Sequence, residues 1–484
     1  MQSSFYARWL PALLLWLGTA LAAQASHLLG TEITYAPVAS TTAGTPRYHV
    51  ALRLYVDATS ASVKQPVATV TFSRNGCDAI GTGSFSVTIP VTQVLKTYGQ
   101  NCSLGGPAYT VQLYETDVDL PRGQWTINFS GENRAAGVKN IANLQSQTYG
   151  IYCSAFLNTE LVAQNTSPVF LTTRLPYVAS GQAERYSFSA FDADGDSLVY
   201  RFVTPQEGVA PRFVCGADIP STPSPHFQLN AATGALTAPA ITTTDVGRYV
   251  VAAHVDEYRR LNGSWQQIGW ITRDVSYIFV NATNQAPSFT ALTIAGAPMA
   301  QPVGELVRVR AGQTVVLALD AADPDAGQAL SFTSDAAGAV PGLGLQTLGP
   351  TRAQLTWQVP AALPPGRYTA TVAVTDDGCP SASEEQTLAF LVTAATTLAT
   401  RPTGEGKAAA FPTPFREQVQ FQAAAGQAVT VVDELGRVVA QLRAPADGRV
   451  VWRPAAALPA GLYVARGADG RPLARLLRGP GTDY

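Results

Sequence analysis

The sequence predicts an all-β protein, with tandem β-sandwich domains followed by a small C-terminal β-sandwich. Three observations predict it. Gly (41) and Pro (33) punctuate segments rich in Thr, Val and Ala, the mixture expected of short strands joined by turns. Apolar residues alternate at period two, as in Tyr48-His49-Val50-Ala51-Leu52-Arg53-Leu54-Tyr55-Val56, which gives a strand one buried face. No long stretch places them at helical spacing. The chain has 484 residues, and chains beyond roughly 250–300 residues divide into several cores.

The N-terminus reads as an export signal. Arg8 supplies positive charge, Leu13-Leu14-Leu15-Trp16-Leu17 an apolar run, and Ala23-Gln24-Ala25 the small-x-small pattern that signal peptidase accepts. Cleavage between Ala25 and Ser26 is expected. The apolar run is shorter than the ~20 residues a spanning helix needs, and no Cys follows the cut to carry a lipid. The mature chain is therefore expected to have no transmembrane span.

In an exported chain disulfides are the default use of cysteine. There are five, Cys77, Cys102, Cys153, Cys215 and Cys379, none in a Cys-x-x-Cys pair, so zinc is a poor reading. The odd number leaves at least one thiol free or paired outside the chain. Cys77 and Cys102 are close enough in sequence to close a short loop, although spacing does not fix connectivity.

An N-terminal β domain is expected over 26–170. Two stretches then carry the same parts in the same order. The first, 171–283, has the acidic turn Asp192-Ala193-Asp194-Gly195-Asp196, then Gly247-Arg248-Tyr249, Val255 and Glu257. The second, 284–395, has Asp323-Pro324-Asp325, then Gly366-Arg367-Tyr368, Val374 and Asp376. A repeat of this length built of short strands reads as two β-sandwiches. Asn284-Gln285-Ala286-Pro287 reads as the hinge between them, stiffened by proline. Residues 396–410 are a Thr-, Pro- and Gly-rich linker, and 411–484 a small final unit.

That final unit resembles the type A C-terminal sorting domain of the type IX (Por) secretion system of gliding and related Gram-negative bacteria. Phe411-Pro412-Thr413-Pro414-Phe415 is similar to the family's opening Tyr-Pro-Asn-Pro-Phe. Val431-Val432-Asp433-Glu434-Leu435-Gly436-Arg437-Val438-Val439 is similar to its central strand, turn and strand. Leu458-Pro459-Ala460-Gly461-Leu462-Tyr463 is similar to its Leu-Pro-Ala-Gly-x-Tyr hairpin. Thr413 in place of Asn and the extra tail 479–484 depart from the pattern. The mature start, Ser26-His27-Leu28-Leu29-Gly30-Thr31-Glu32-Ile33-Thr34-Tyr35, resembles that of secreted, gliding-associated surface proteins, with Thr31 in place of a second Gly. Asn165-Thr166-Ser167-Pro168 before a strand is a further match. The two repeats resemble PKD, cadherin-like or other immunoglobulin-like modules. The resemblance implies the type IX machinery as a partner and a secreted or outer-surface location reached through the periplasm.

The composition excludes a nucleic-acid surface. Charged residues are 14% of the chain, the formal net charge is −2, and no block of like charges occurs. The four histidines, His27, His49, His226 and His254, are scattered, with no His-Glu-x-x-His and no Gly-x-Ser-x-Gly. Glu115, Asp117 and Asp119 share one strand face; two such carboxylates are what a glycosidase needs, and a solvated face explains them as well.

The acidic turns carry the best-defined chemistry. Asp192, Asp194 and Asp196, closed by Glu257, form one candidate calcium site, and Asp323, Asp325 and Asp376 another, because short carboxylates around glycine can wrap a hard cation. The same aspartates serve as turn formers that accept from nearby backbone N–H groups. The reading that follows is a non-catalytic surface protein that binds an unidentified surface, glycan or protein ligand. The alternatives are a carbohydrate-active or carbohydrate-binding protein, with Trp125, Trp265 or Trp270 stacking on sugars, and a structural spacer.

Overall fold

The computed structural model describes residues 28–58, 65–76, 83–99, 108–132, 134–142, 149–209, 215–241, 246–297, 299–394 and 410–479. Among these residues the regular elements are strands, apart from the short 3-10 turn Asp335–Gly338. No helix among them is long and apolar enough to cross a membrane. The chain divides into two compact units, Met1–Thr396 and Thr397–Tyr484. The expected Cys77–Cys102 bridge and the expected Ala25–Ser26 cleavage site lie outside the described residues. Cys215 and Cys379 are disulfide-bonded, and Cys153 is a buried free thiol.

The region 284–394 is the plainest sandwich. One sheet has the order Ser288–Ile294, Thr314–Ala322, Arg352–Gln358, Leu343–Gly349. The other has Val307–Arg310, Ser383–Thr393, Gly366–Thr375, Ser331–Thr333. This is the ABED-against-A′GFC arrangement of immunoglobulin-like domains, with the parallel A′–G pair formed by Val307–Arg310 and Ser383–Thr393. Alternation decides it: Leu317, Leu319, Leu355, Trp357, Val372 and Phe390 all point inward and are essentially unexposed. Trp357 packs edge-on against Phe390, ring centroids 4.8 Å apart.

Residues 165–283 repeat this plan and add a short hairpin, Gln206–Gly208 with Gly216–Asp218. Tyr177–Ala179 runs parallel to Ser264–Val280, as Val307–Arg310 does to its partner. Ser197–Val203 pairs with Gly247–Leu261, as Ser331–Thr333 pairs with Gly366–Thr375. In both copies Gly-Arg-Tyr opens the second-last strand. Hydroxyls fasten the copies to one another: Thr371 Oγ1 donates to the Leu171 carbonyl (2.9 Å) and Thr369 Oγ1 to that of Ala190 (3.0 Å).

The first copy differs most in its last hairpin, which reaches across the position expected for a boundary at residue 170. Gly247–Leu261 and Ser264–Val280 are 15 and 17 residues long, against 10 and 11 in the second copy. One edge of Ser264–Val280 follows its hairpin partner. Its other edge takes Ile151–Asn158, Leu28–Val38 and Tyr177–Ala179 in turn. The long strand thereby joins the two halves of the N-terminal sheet into a 14-stranded sheet among the described residues. A single core running from Leu28 to Phe279 results, so 26–170 and 171–283 do not bury separate interiors.

The C-terminal unit has its own core around Phe415, Trp452 and Tyr463. Val419–Gln422 pairs with Arg449–Trp452, and the other sheet has the order Val438–Arg443, Ala428–Val432, Gly461–Gly467, Pro472–Arg478. The Leu-Pro-x-Gly-x-Tyr motif has a local mechanical meaning. Tyr463 donates from its hydroxyl to the carbonyl of Pro459 at 2.6 Å. Tyr368 of Leu363-Pro364-Pro365-Gly366-Arg367-Tyr368 does the same to Pro364 at 2.8 Å. Both are tyrosine corners, which pin the chain as it enters a strand.

Candidate metal centre

Each repeat places an acidic turn beside the asparagine that enters the sandwich and the acid ten residues after the glycine of Gly-Arg-Tyr, Glu257 or Asp376. The turns form locally. Asp192 Oδ1 accepts from the N–H of Asp196 (2.9 Å), and Asp323 Oδ1 from that of Asp325 (2.8 Å), as short acidic side chains in turns do. Gly195 makes the first turn feasible: its φ is +80°, and a Cβ there would lie 2.7 Å from the Tyr368 hydroxyl.

The long-range contacts match pair by pair. Asp194 Oδ2 accepts from the Thr166 N–H (2.9 Å), and Asp325 Oδ2 from that of Gln285 (2.7 Å). Asn165 Nδ2 donates to Glu257 Oε2 (2.8 Å), and Asn284 Nδ2 to Asp376 Oδ2 (3.0 Å). The asparagine Oδ1 takes the Arg259 guanidinium in the first corner (2.8 Å) and the Gln328 amide in the second (2.6 Å). In the sequence Asn165 stands out only as part of a family match and Asn284 only as part of a hinge, and neither they nor Arg259 and Gln328 stand out as site residues. The signal was present: Asn165-Thr166-Ser167-Pro168 and Asn284-Gln285-Ala286-Pro287 are the same motif in the same place.

The two corners differ in what remains free. In the first, ligand atoms of Asp192, Asp196 and Glu257 lie within 4.8 Å of one another. Asp192 Oδ2 and Glu257 Oε1 are buried without a hydrogen-bond partner. Orphaned carboxylate oxygens are what a hard cation would take up, so these three residues fit one. Asp194 is not among them. It pairs with Arg259 (3.0 Å), which also donates to Asp196 through Nε (2.7 Å). Burial, then repulsion from the neighbouring carboxylates, raises Asp192 from its ordinary 3.8 to about 7. Burial and repulsion from Asp192 hold Glu257 well above the usual carboxylate range. Without a cation, protons must do part of the neutralising.

The second set does not gather in this way. Asp376 Oδ1 accepts from the N–H groups of Gly378 (3.0 Å) and Ala382 (2.9 Å), while Asp325 holds Gln285. Asp323 Oδ2 and Gln328 Oε1 are the buried oxygens left without a partner here. Asp323, Asp325 and Asp376 each accept from backbone N–H groups at 2.7–3.0 Å, and among the described residues they do not form a group of three carboxylates like that of the first corner.

Glu115 and Asp117 flank the His49 ring (3.2 and 2.8 Å), and Asp119 pairs with Arg47 (3.1 Å), an ordinary cross-strand charge ladder. Trp125 is 1% exposed, its indole donating to the Pro121 carbonyl; Trp265 is 61% exposed. Trp270 is half-buried, with the His254 ring stacked 4.5 Å from it. In the C-terminal unit Phe411, Pro412 and Pro414 are exposed and Phe415 buried. Asp433 accepts from the Leu435 and Arg437 N–H groups and pairs with the Arg437 side chain at 2.7 Å. Gly436, at φ +79°, completes that turn, and Gly461 opens the strand that carries Tyr463.

No protein-family model matches the chain, and no curated protein matches it. Solved structures with similar strand arrangements are tandem β-sandwich proteins. Cadherin domains 1–5 of protocadherin gamma B2 are 11% identical over 82% of this chain and 73% of theirs, TM-score 0.17. The human desmocollin-1 ectodomain is 11% identical over 76% and 73%, TM-score 0.17. Tandem Ig repeats of Dlar are 14% identical over 47% and 100%, TM-score 0.21. Scores this low carry no argument about function; the sandwich topology rests on the strand pairing described above.

Proposed function

We propose that the chain is an exported, non-catalytic surface protein. Residues 28–394 form its binding body, for adhesion or contact with a matrix or partner, and 411–484 are an address read by the type IX machinery. The observation that carries the proposal is the separate core of the C-terminal unit: Phe415, Trp452 and Tyr463 pack among themselves, and the cores of the body contain no residue beyond Val392. An address must be separable from what it delivers. The disulfide-bonded Cys215 and Cys379 support an oxidising compartment.

Removing 411–484 should trap the protein in the periplasm and leave the body's unfolding transition unchanged, since few contacts cross a linker of this kind. Cell fractionation and denaturant unfolding of the secreted and trapped forms would measure both. Normal surface display of the truncated chain would refute the address. We further propose that the corner formed by Asp192, Asp196 and Glu257 binds calcium, whose role would be to neutralise buried carboxylates and tie the acidic turn to the long hairpin. A second reading, carbohydrate binding, is favoured by one feature of the shared sheet, a cleft beside Trp270.

A further inference from the structure

We infer that this cleft is a binding site for a neutral, polyhydroxylated ligand, an oligosaccharide segment. The inference deepens the proposed binding body and rests on it, but not on the route of export. The cleft encloses about 740 Å³, within the ~300–1,000 Å³ usual for ligand pockets. Its floor follows from strand alternation. Along Ser264–Val280, Ile271, Arg273 and Val275 are 0% exposed, turned to the interior. Trp270, Thr272 and Asp274 turn the other way and line the cleft. Thr272 lies in register with His254, and His254 with Arg201 on the next strand.

Thr272 is the residue that points to a ligand. It is 7% exposed, it lines the cleft, and its hydroxyl has no hydrogen-bond partner. A buried hydroxyl left unpaired costs about as much as a lost hydrogen bond, so a group that meets it is favoured there. Sugar hydroxyls both donate and accept, as this side chain does.

The cations around the cleft are already paired, which leaves none free for an anionic ligand. Asp274 takes both Nη atoms of Arg134, each at 2.7 Å. Arg201 donates from Nε to Asp256 at 2.6 Å and from Nη2 to His254 Nδ1 at 2.8 Å. A guanidinium can only donate, so His254 Nδ1 accepts, and the proton of the neutral ring sits on Nε2. At the rim Gln206 donates to Asp218 (2.9 Å). What the cleft offers is hydroxyl, amide and imidazole groups beside an indole, rather than a free cation for phosphate or a free carboxylate pair for a metal ion.

The test uses the full chain and two conservative variants, Thr272→Val and Trp270→Phe. The probes are cellotetraose, maltotetraose, xylotetraose, mannotetraose and chitotetraose, with tetragalacturonate as the acidic control, followed by saturation-transfer NMR and tryptophan fluorescence. At least one neutral probe should bind, and Thr272→Val should weaken it about tenfold, the effect of leaving one buried polar partner unmatched, while the melting temperature of the free protein rises or stays the same, because an unpaired buried hydroxyl has been removed. Binding confined to tetragalacturonate, no binding of any neutral probe at millimolar concentration, or equal binding by wild type and both variants would overturn the inference. Adhesion of the protein to cells with no response to any probe would leave the binding body standing and remove this site from it.

Discussion

Raising the pH from about 5 to 8 in the presence of a chelator should lower the stability of the body by several kcal/mol, and millimolar calcium should restore part of it. Asp192 is raised from its ordinary 3.8 to about 7, Glu184 from 4.5 to about 8 and Glu385 from 4.5 to about 7, in each case chiefly by burial. A carboxyl whose folded pKa is raised contributes stability that is fully present below its unfolded pKa and is lost as pH rises through the folded one. The loss therefore runs from about pH 4 to about pH 8. A tenfold change in proton affinity is worth about 1.4 kcal/mol, so Asp192 alone accounts for on the order of 4 kcal/mol at full ionisation. Its share overlaps with that of Glu257, because their mutual repulsion is one interaction.

Calcium is expected to act on one corner only, the one proposed to bind it. It should offset the ionisation of Asp192 and Glu257, leaving the contributions of Glu184 and Glu385 in place. A ligand that binds only the folded state adds about 2.7 kcal/mol at a hundredfold excess over Kd. Asp192→Asn, which imitates the protonated acid, should flatten the pH slope and abolish the calcium response. Asp194→Asn should weaken the Arg259 contact yet leave that response intact, since Asp194 lies outside the three-carboxylate group. Urea unfolding at several pH values, with calcium or with chelator, measures all of this. A calcium effect that survives in Asp192→Asn, or none in the wild type at pH 8, would discard the site.

Truncating Arg273 should cost on the order of 3–5 kcal/mol, the usual penalty for removing one partner of a buried ion pair. Its side chain is 0% exposed and its Nε lies 3.3 Å from Glu32 Oε2, itself on a side chain 1% exposed. Its Nη2 donates to the Tyr55 hydroxyl and to the Thr172 carbonyl, both at 2.9 Å. The guanidinium lies over the rings of Tyr55, Phe170 and Phe188, at 5.2–5.5 Å from their centroids. Arg273 thus joins the N-terminal strands to the start of the first repeat. Arg273→Ala leaves Glu32 buried beside Arg53, its remaining ion-pair partner at 2.7 Å. Arg273→Met, which keeps much of the volume and leaves the Arg53–Glu32 pair at 2.7 Å in place, should recover part of the loss. Equal unfolding midpoints for wild type and Arg273→Ala would show that the pair holds nothing together.

The sequence by itself determined whatever depends on neighbours a few residues apart. Period-two alternation marked the strands. The Asp192 and Asp433 turns follow from acidic side chains that reach N–H groups four residues or fewer away, and both tyrosine corners follow from Leu-Pro-x-Gly-x-Tyr, where the hydroxyl reaches back four residues. The repeat was legible because the order of its parts survives in both copies. Tertiary structure alone decided the rest. That Asn165 meets Glu257, 92 residues on, and that Arg259 reaches Asp194, 65 residues back, depend on which edges pair and in what register. The extra length of the Ser264–Val280 hairpin signals a protruding strand, but not the edge it will join. A strand's unpaired N–H and C=O groups accept any partner of the right spacing. The choice of Leu28–Val38 and Ile151–Asn158 was made by burial of their side chains in one core, a sum over contacts far apart in the chain that no local pattern contains.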